Sequence, residues 1–415
     1  MYGIYSSTQA GSSPSPRPAS SSARALKVNG SGSAGMDADD DADYIFEVQG
    51  NCDGSLLAAS LSSRSVAVHN AETLQHVATL QGLHSDRING MEFMRANPSV
   101  LVTSSDDHSV HVWDVRVSTS GTFGTSSTGT NIGSARPALS IQASGEVLDV
   151  SVGPNDAMLA CAVGNGVSFF DIRGPGAGGS PGASLGEYAD VNTDDVTQLR
   201  FHPTRSAELV TAGDDGLVCV FNTAVGSGEE AVTSVFNTDC PVQRFGFFGH
   251  NLEGLYCVSS IETLSVWHAP SAQRIGTFPD ARDTLGVDYL VDCCYSAESD
   301  ILTLLGGCHA GEGCQATVTP TGLQLSGKLD GAGGHSATIR SALCTSRDAA
   351  GVHTFVTGGE DSTLCAWRRG VGVGEGGAQQ TQLPRPGYGK DKKKEERRSG
   401  SGKASKKESR RYSPY

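Results

Sequence analysis

Along residues 101 to 116, LVTSSDDHSVHVWDVR, apolar and polar positions alternate. Val110 and Val112 are set against Ser109, His111 and Trp113, and a period of two predicts a half-buried β-strand rather than a helix. Ahead of it, "SVLVTS" reads as a second strand. The "DDH" between them reads as a tight turn, because an Asp side chain there hydrogen-bonds its own backbone. The stretch is therefore a hairpin ending in Trp. An isolated hairpin is not stable in water, so this one must belong to a larger sheet.

The pattern recurs. "TFVTGGEDSTLCAWRR", residues 354 to 369, places Thr357, Asp361 and Trp367 at the offsets of Thr103, Asp107 and Trp113. Upstream, His84 precedes Phe93 by nine residues, and His335 precedes Cys344 by nine. A third copy, from Asn192 to Asn222, keeps Thr211 and Asp215 but has Asn192 for the His and Phe221 for the Trp. Coincident offsets in three places mark an internal repeat. The Trp-equivalent positions read His69, Trp113, Phe170, Phe221, Trp267 and Trp367, with successive steps of 44, 57, 51, 46 and 100. The last step is double, so a unit without an aromatic marker must lie near "CQATVTPTG". That makes seven units over residues 44 to 370, close to the roughly 40–45 residues of a four-stranded propeller blade plus insertions. Two Gly/Ser/Thr-rich insertions, after Arg116 and after Arg173, read as mobile loops.

The His, Thr, Asp and Trp placement, with "VWD", resembles the WD-repeat family of β-propellers. The markers are complete in the second and seventh units, partial in the fourth and degenerate elsewhere. The resemblance implies an all-β fold: a single seven-bladed WD-repeat β-propeller over residues 23–370, with blade cores from about residue 44. Residues 1–22 and 371–415 are then disordered N- and C-terminal tails. It also implies two structural tetrads, His84–Thr103–Asp107–Trp113 and His335–Thr357–Asp361–Trp367. In each, the indole N–H meets Thr, Thr meets His, and His meets Asp. A catalytic use, with Thr as nucleophile and His–Asp as acid–base pair, is the alternative; recurrence at matching offsets favours the structural role. After Trp367 the chain offers no good outer strand. "ARALKV", residues 23 to 28, alternates and is expected to complete the last blade.

Composition bounds what such a chain can do. No run of 18 apolar residues exists, so a membrane-spanning helix is not expected. The Ser-rich N-terminal stretch lacks the apolar core of a secretory signal; it reads as a disordered tail, with a transit peptide as the alternative. Eleven cysteines at irregular spacing suggest buried thiols in a reducing compartment. The net charge is −14, yet residues 385–415 carry twelve Lys/Arg and four Asp/Glu, leaving −22 for the rest. An acidic body favours basic partners and argues against specific nucleic-acid binding by the propeller. The basic tail is a solvated charge run that also resembles a nuclear-import signal, so a nuclear or cytoplasmic location is expected.

No motif implies a cofactor, a metal site or a catalytic residue. "GLQLSGKL" has Leu329 where a phosphate loop needs Ser or Thr. "GVGEGG" is followed by a Pro-rich stretch that cannot form the required helix. Cys308, His309 and Cys314 lack a fourth ligand nearby. Adjacent Cys293 and Cys294 would face opposite sides of a strand, placing at least one in the core. The expected function is a non-catalytic protein–protein interaction scaffold. Residues 101–116 also match the box of WD-repeat substrate receptors of cullin-RING ubiquitin ligases. That resemblance implies that Arg116, with Asp114 beside it, contacts the ligase adaptor; the plain alternative is that Arg116 pairs with Asp114. "FFDIR" at Phe170 is a weaker second copy, with Gly164 in place of the turn Asp. The competing reading is an acidic nuclear carrier of basic clients such as ribosomal proteins or histones.

Overall fold

The computed structural model describes residues 19–20, 22–27, 43–82, 84–118, 136–174, 179–226, 228–330, 334–345 and 354–368. The expectations for most of the two tails, and for the bulk of the insertions after Arg116 and Arg173, lie outside the described residues. Among the described residues, seven sheets follow one another along the chain. They occupy residues 45–80, 88–142, 147–188, 196–237, 242–278, 289–329 and 339–368, here blades one to seven. Their inner strands neighbour one another in sequence order. That of blade seven packs against that of blade one, which closes the ring of a seven-bladed β-propeller.

Blade two shows why the sequence folds this way. Its strands are Ile88–Phe93, Val100–Ser105, Ser109–Asp114 and Leu139–Gln142. The middle strands are not half-buried as the alternation suggests: all six residues of Val100–Ser105 are buried. The alternation separates two cores instead of core from solvent. Val102, Val110 and Val112 pack with Val150 and Leu159 of blade three, while Leu101 and Trp113 pack with Val66, Val68 and Leu80 of blade one. Outer strands meet water, so Ser184–Tyr188 is exposed at four of its five positions.

The unmarked unit is blade six. "CQATVTPTG" covers most of its third strand, Gly313–Thr319, and the turn after it. Where Thr103 stands opposite Met91 in blade two, Leu304 stands opposite Cys293. A leucine offers an indole N–H no acceptor, and the third strand carries no aromatic residue. The phosphate-loop look-alike is simply the blade's next strand, Gly322–Leu329.

Closure comes from the N-terminus. Ser22–Lys27 pairs antiparallel with Thr363–Arg368 as the outer strand of blade seven, with Ala25 opposite Cys365. Two residues expected in the tail, Ala19 and Ser20, add a short parallel strand to blade six, opposite Gly327 and Lys328. The strand edges at the closing seam are thereby paired.

All seven inner strands share one irregularity: the register shifts near the start, after the first paired residue in six blades and after the second in blade six. Such bulges re-aim the following side chain. They set Glu47, Gly90, Asp149, Gln198, Arg244, Asp292 and Ser341 at one level around the axis. Several of these accept a backbone N–H from the next blade. Leu199 N donates to Asp149 (2.9 Å), Phe245 N to Gln198 (3.1 Å) and Val48 N to Ser341 (3.0 Å). Two residues further on, Val152 N donates to Glu92 (2.9 Å) and Phe201 N to Ser151 (3.0 Å). Side chains thus satisfy inner-strand groups that have no strand beside them.

Candidate interaction surface

At one end of blade two, the turn and the loop before the inner strand bring the first tetrad together. Trp113 Nε1 donates to Thr103 Oγ1 at 2.9 Å, and His84 Nε2 lies 2.8 Å from the same oxygen. His84 Nδ1 is 3.3 Å from Asp107 Oδ2, which also accepts Ser85 N at 2.7 Å. A neutral imidazole with its proton on Nδ1 completes the chain: indole to hydroxyl, hydroxyl to Nε2, Nδ1 to carboxylate. Burial, then the neighbouring His111, pushes His84 down to about 4, against the pull of Asp107. Burial would raise Asp107, but hydrogen bonds from Ser109 and Ser85 outweigh it and hold the carboxyl at about 2.

Blade seven repeats the arrangement. Trp367 Nε1 donates to Thr357 Oγ1 at 2.7 Å, His335 Nε2 is 2.8 Å from that oxygen, and His335 Nδ1 is 3.0 Å from Asp361. In blade four, Thr211 donates to Asn192 Oδ1 at 3.2 Å and Asn192 Nδ2 donates to Asp215 at 3.0 Å. Thr103 is 0 % exposed and already accepts from Trp113, so no substrate could reach it as a nucleophile. Asp106, beside Asp107, has a partner of its own: Asn89 Nδ2 donates to it and also to Val147 O of blade three.

The opposite end of blade two presents the other candidate pair. Arg116 forms a two-pronged ion pair with Asp114, Nε to Oδ1 at 3.0 Å and one terminal nitrogen to Oδ2 at 2.9 Å. Its backbone N–H also donates to Asp114, and its side chain is 64 % exposed. The hydrogen bonds to Asp114, then its charge, raise the guanidinium's affinity for its proton. Arg173 in blade three makes the same fork on Asp171, at 3.0 and 2.7 Å, again with its own backbone N–H on the carboxylate. Here Ser180 N also donates to Asp171, at 3.0 Å. A Cβ on Gly179 would lie 2.5 Å from that carboxylate, so a larger residue would push the fork aside. The weaker sequence copy is therefore the more enclosed fork. For Arg116 the pair with Asp114 is the plain alternative that the sequence offered; the matching fork of Arg173 on Asp171 was not among its expectations.

Cys293 and Cys294 are both buried, in the clusters shared with blades five and seven respectively. Among the described residues no His, Cys, Asp and Glu group could hold a metal ion. On blade four, Asp194, Asp195 and Asp215 raise the carboxyl of Asp214 beyond what its burial does first, which marks an acidic corner.

The WD domain, G-beta repeat family model matches residues 74–114 and 184–222. Each match begins near or at an outer strand and ends with the third strand of the next blade, so the sequence repeat straddles two blades. The chain is 28 % identical over 349 residues to WD repeat-containing protein GTS1 of Arabidopsis thaliana, covering 79 % of this chain and 81 % of that protein. It is 26 % identical over 335 residues to WD repeat-containing protein 89 homolog of Dictyostelium discoideum, covering 79 % and 83 %.

Proposed function

We propose that this chain, a WD-repeat β-propeller, is a protein–protein interaction scaffold that docks onto a cullin-RING ligase adaptor through the rim carrying Arg116 and Asp114. One observation supports this most: neighbouring blades present the same preformed arginine fork at the same rim. An Arg held in plane by its own Asp loses less side-chain freedom on meeting carbonyls or carboxylates of a partner. Arg116 is the principal contact, being the more exposed of the two, and Arg173 extends the patch.

The test is affinity purification of the tagged full chain, with mass spectrometry of its partners, beside Arg116→Ala. Recovery of the adaptor with the unmutated chain and its loss from the variant support the reading. Absence of the adaptor from both ends it.

The acidic corner of blade four favours a second reading, an acidic carrier of basic clients with the basic tail as nuclear address. Salt discriminates the two. Client capture by a field of carboxylates fades steeply as ionic strength rises, whereas a fork-centred contact changes little.

A further inference from the structure

In the axial channel two arginines stand at wall positions where other blades supply an acceptor. In the first ring, Arg244 stands where Asp149, Gln198 and Ser341 accept the N–H of the next blade. In the second ring, Arg200 stands where Glu92 and Ser151 do the same. Arginine has five donors and no acceptor, so neither can play that part. The neighbouring blade compensates: Cys293 N, which an acceptor at 244 would take, donates to its own blade's Asp292 at 2.7 Å. Blade three does likewise after Gly90, where Val150 N turns to Asp149 at 2.9 Å.

The two guanidinium groups therefore take no part in the N–H bonding from blade to blade. Seven other arginines among the described residues are ion-paired, including Arg95, Arg116, Arg173, Arg205 and Arg340. Arg244 makes only a 3.4 Å bond to Gln243 O. Arg200 Nε is buried without a hydrogen-bond partner, an arrangement that normally costs free energy unless something supplies the acceptor. Both residues line one cavity of about 340 Å³ with Glu47, Tyr256, Asp292 and Ser341. The carboxylates around the two arginines are already hydrogen-bonded: Asp292 accepts Tyr256 and Cys293 N, and Glu47 accepts Gln49. Asp149 and Glu92, whose charges also raise the Arg200 guanidinium, accept Leu199 N and Val152 N. Arg244 also lines a wider cavity of about 780 Å³ at the mouth, where Arg87 lies 4.9 Å over the Phe46 ring and Arg340 pairs with Glu360. Over the two cavities Arg87, Arg200, Arg244 and Arg340 stand against Glu47, Glu262, Asp292 and Glu360, so the lining is balanced in charge inside an acidic body.

We propose that the channel between Arg200 and Arg244 is a binding site for a single carboxylate, presented by a small organic acid or by an acidic side chain of a peptide entering at the Arg87 mouth. The wall of this cavity sets two arginines against Glu47 and Asp292, so it has no charge excess to hold a polyanion such as nucleic acid, and one carboxylate spanning the two guanidinium groups is the acceptor that fits. The site goes beyond the scaffold reading and is independent of the Asp114–Arg116 rim, so neither stands or falls with the other.

Isothermal titration calorimetry of the full chain tests it with propionate, a blocked Gly-Glu-Gly tripeptide and its Gly-Gln-Gly counterpart. At least one of the two acids binds at least tenfold more tightly than the glutamine peptide, and Arg244→Gln and Arg200→Gln each remove about tenfold of that affinity. Equal affinities for propionate and the Glu peptide assign the site to small acids; a tighter peptide assigns it to a partner chain. Arg282→Gln, on an exposed short helix, leaves binding unchanged. Because glutamine is native to the ring at Gln198, Arg244→Gln folds with an undiminished denaturation midpoint. Equal binding of the acid and amide peptides, no binding of either acid, or undiminished affinity in both arginine variants overturns the proposal. A lowered midpoint in Arg244→Gln also overturns it, because the residue is then part of the wall.

Discussion

His335 Nδ1 stands 3.0 Å from Asp361 Oδ1, and the other oxygen of that carboxylate accepts Ser336 N at 2.8 Å. One acid thus fastens the loop entering blade seven to the turn between its middle strands. It also accepts Thr363 N at 3.1 Å. Asp361→Ala strands three donors, and unfolding in urea should show a loss of about 1–3 kcal/mol. Glu187→Ala, on an exposed outer strand, should stay within about 0.5 kcal/mol. Asp106→Ala should fall between them, because Asn89 loses its acceptor. Equal losses at Asp361 and Glu187 would refute the tetrad.

Acid should weaken the fold through its buried imidazoles. His84 and His69 are both pushed down to about 4 from an ordinary 6.5, chiefly by burial. The unfolded chain therefore takes up these protons first. The contribution is complete above pH 6.5 and is lost as pH falls toward 4, at up to about 1.4 kcal/mol per pH unit for each histidine. His84→Asn, which copies the residue blade four uses at Asn192, should flatten that decline between pH 6.5 and 4. An unchanged slope in the variant would show that His84 is not the titrating group.

The two forks should respond differently to loss of their acid. Asp171 is 2 % exposed and also fastens the loop at Ser180, whereas Asp114 is 22 % exposed. Asp171→Ala should lower the melting midpoint more than Asp114→Ala. Arg116→Ala should leave the midpoint unmoved while removing the adaptor from the purified complex. A midpoint that falls with binding would make Arg116 a packing residue.

Removing residues 1–27 should open the outer edge of blade seven. Hydrogen exchange at Thr363–Arg368 should accelerate, and the denaturation midpoint should drop, because the six-residue ladder with Ser22–Lys27 is gone. Protection that survives the deletion would mean another segment closes the ring.

Much of this protein was legible in its sequence because the signals are local. Spacing alone counted seven units, placed the unmarked one at "CQATVTPTG" and matched the offsets of the two tetrads. Turn chemistry and a period of two are properties of neighbouring residues, and every blade repeats them. What the alternation divides was not legible: Val102 and Leu101 serve two different cores, because each middle strand is covered by a blade on both faces. Nor could the sequence show that Asn89 reaches Asp106, or that Arg173 folds back on Asp171. Least visible was the channel. Whether a polar side chain there is an acceptor for the next blade or an unused donor depends on the ring, which sets side by side residues 47 to 60 positions apart and, at its closing seam, 293 apart. Only the folded ring decides which N–H each carboxylate meets, and so which guanidinium nitrogen is left without a hydrogen bond.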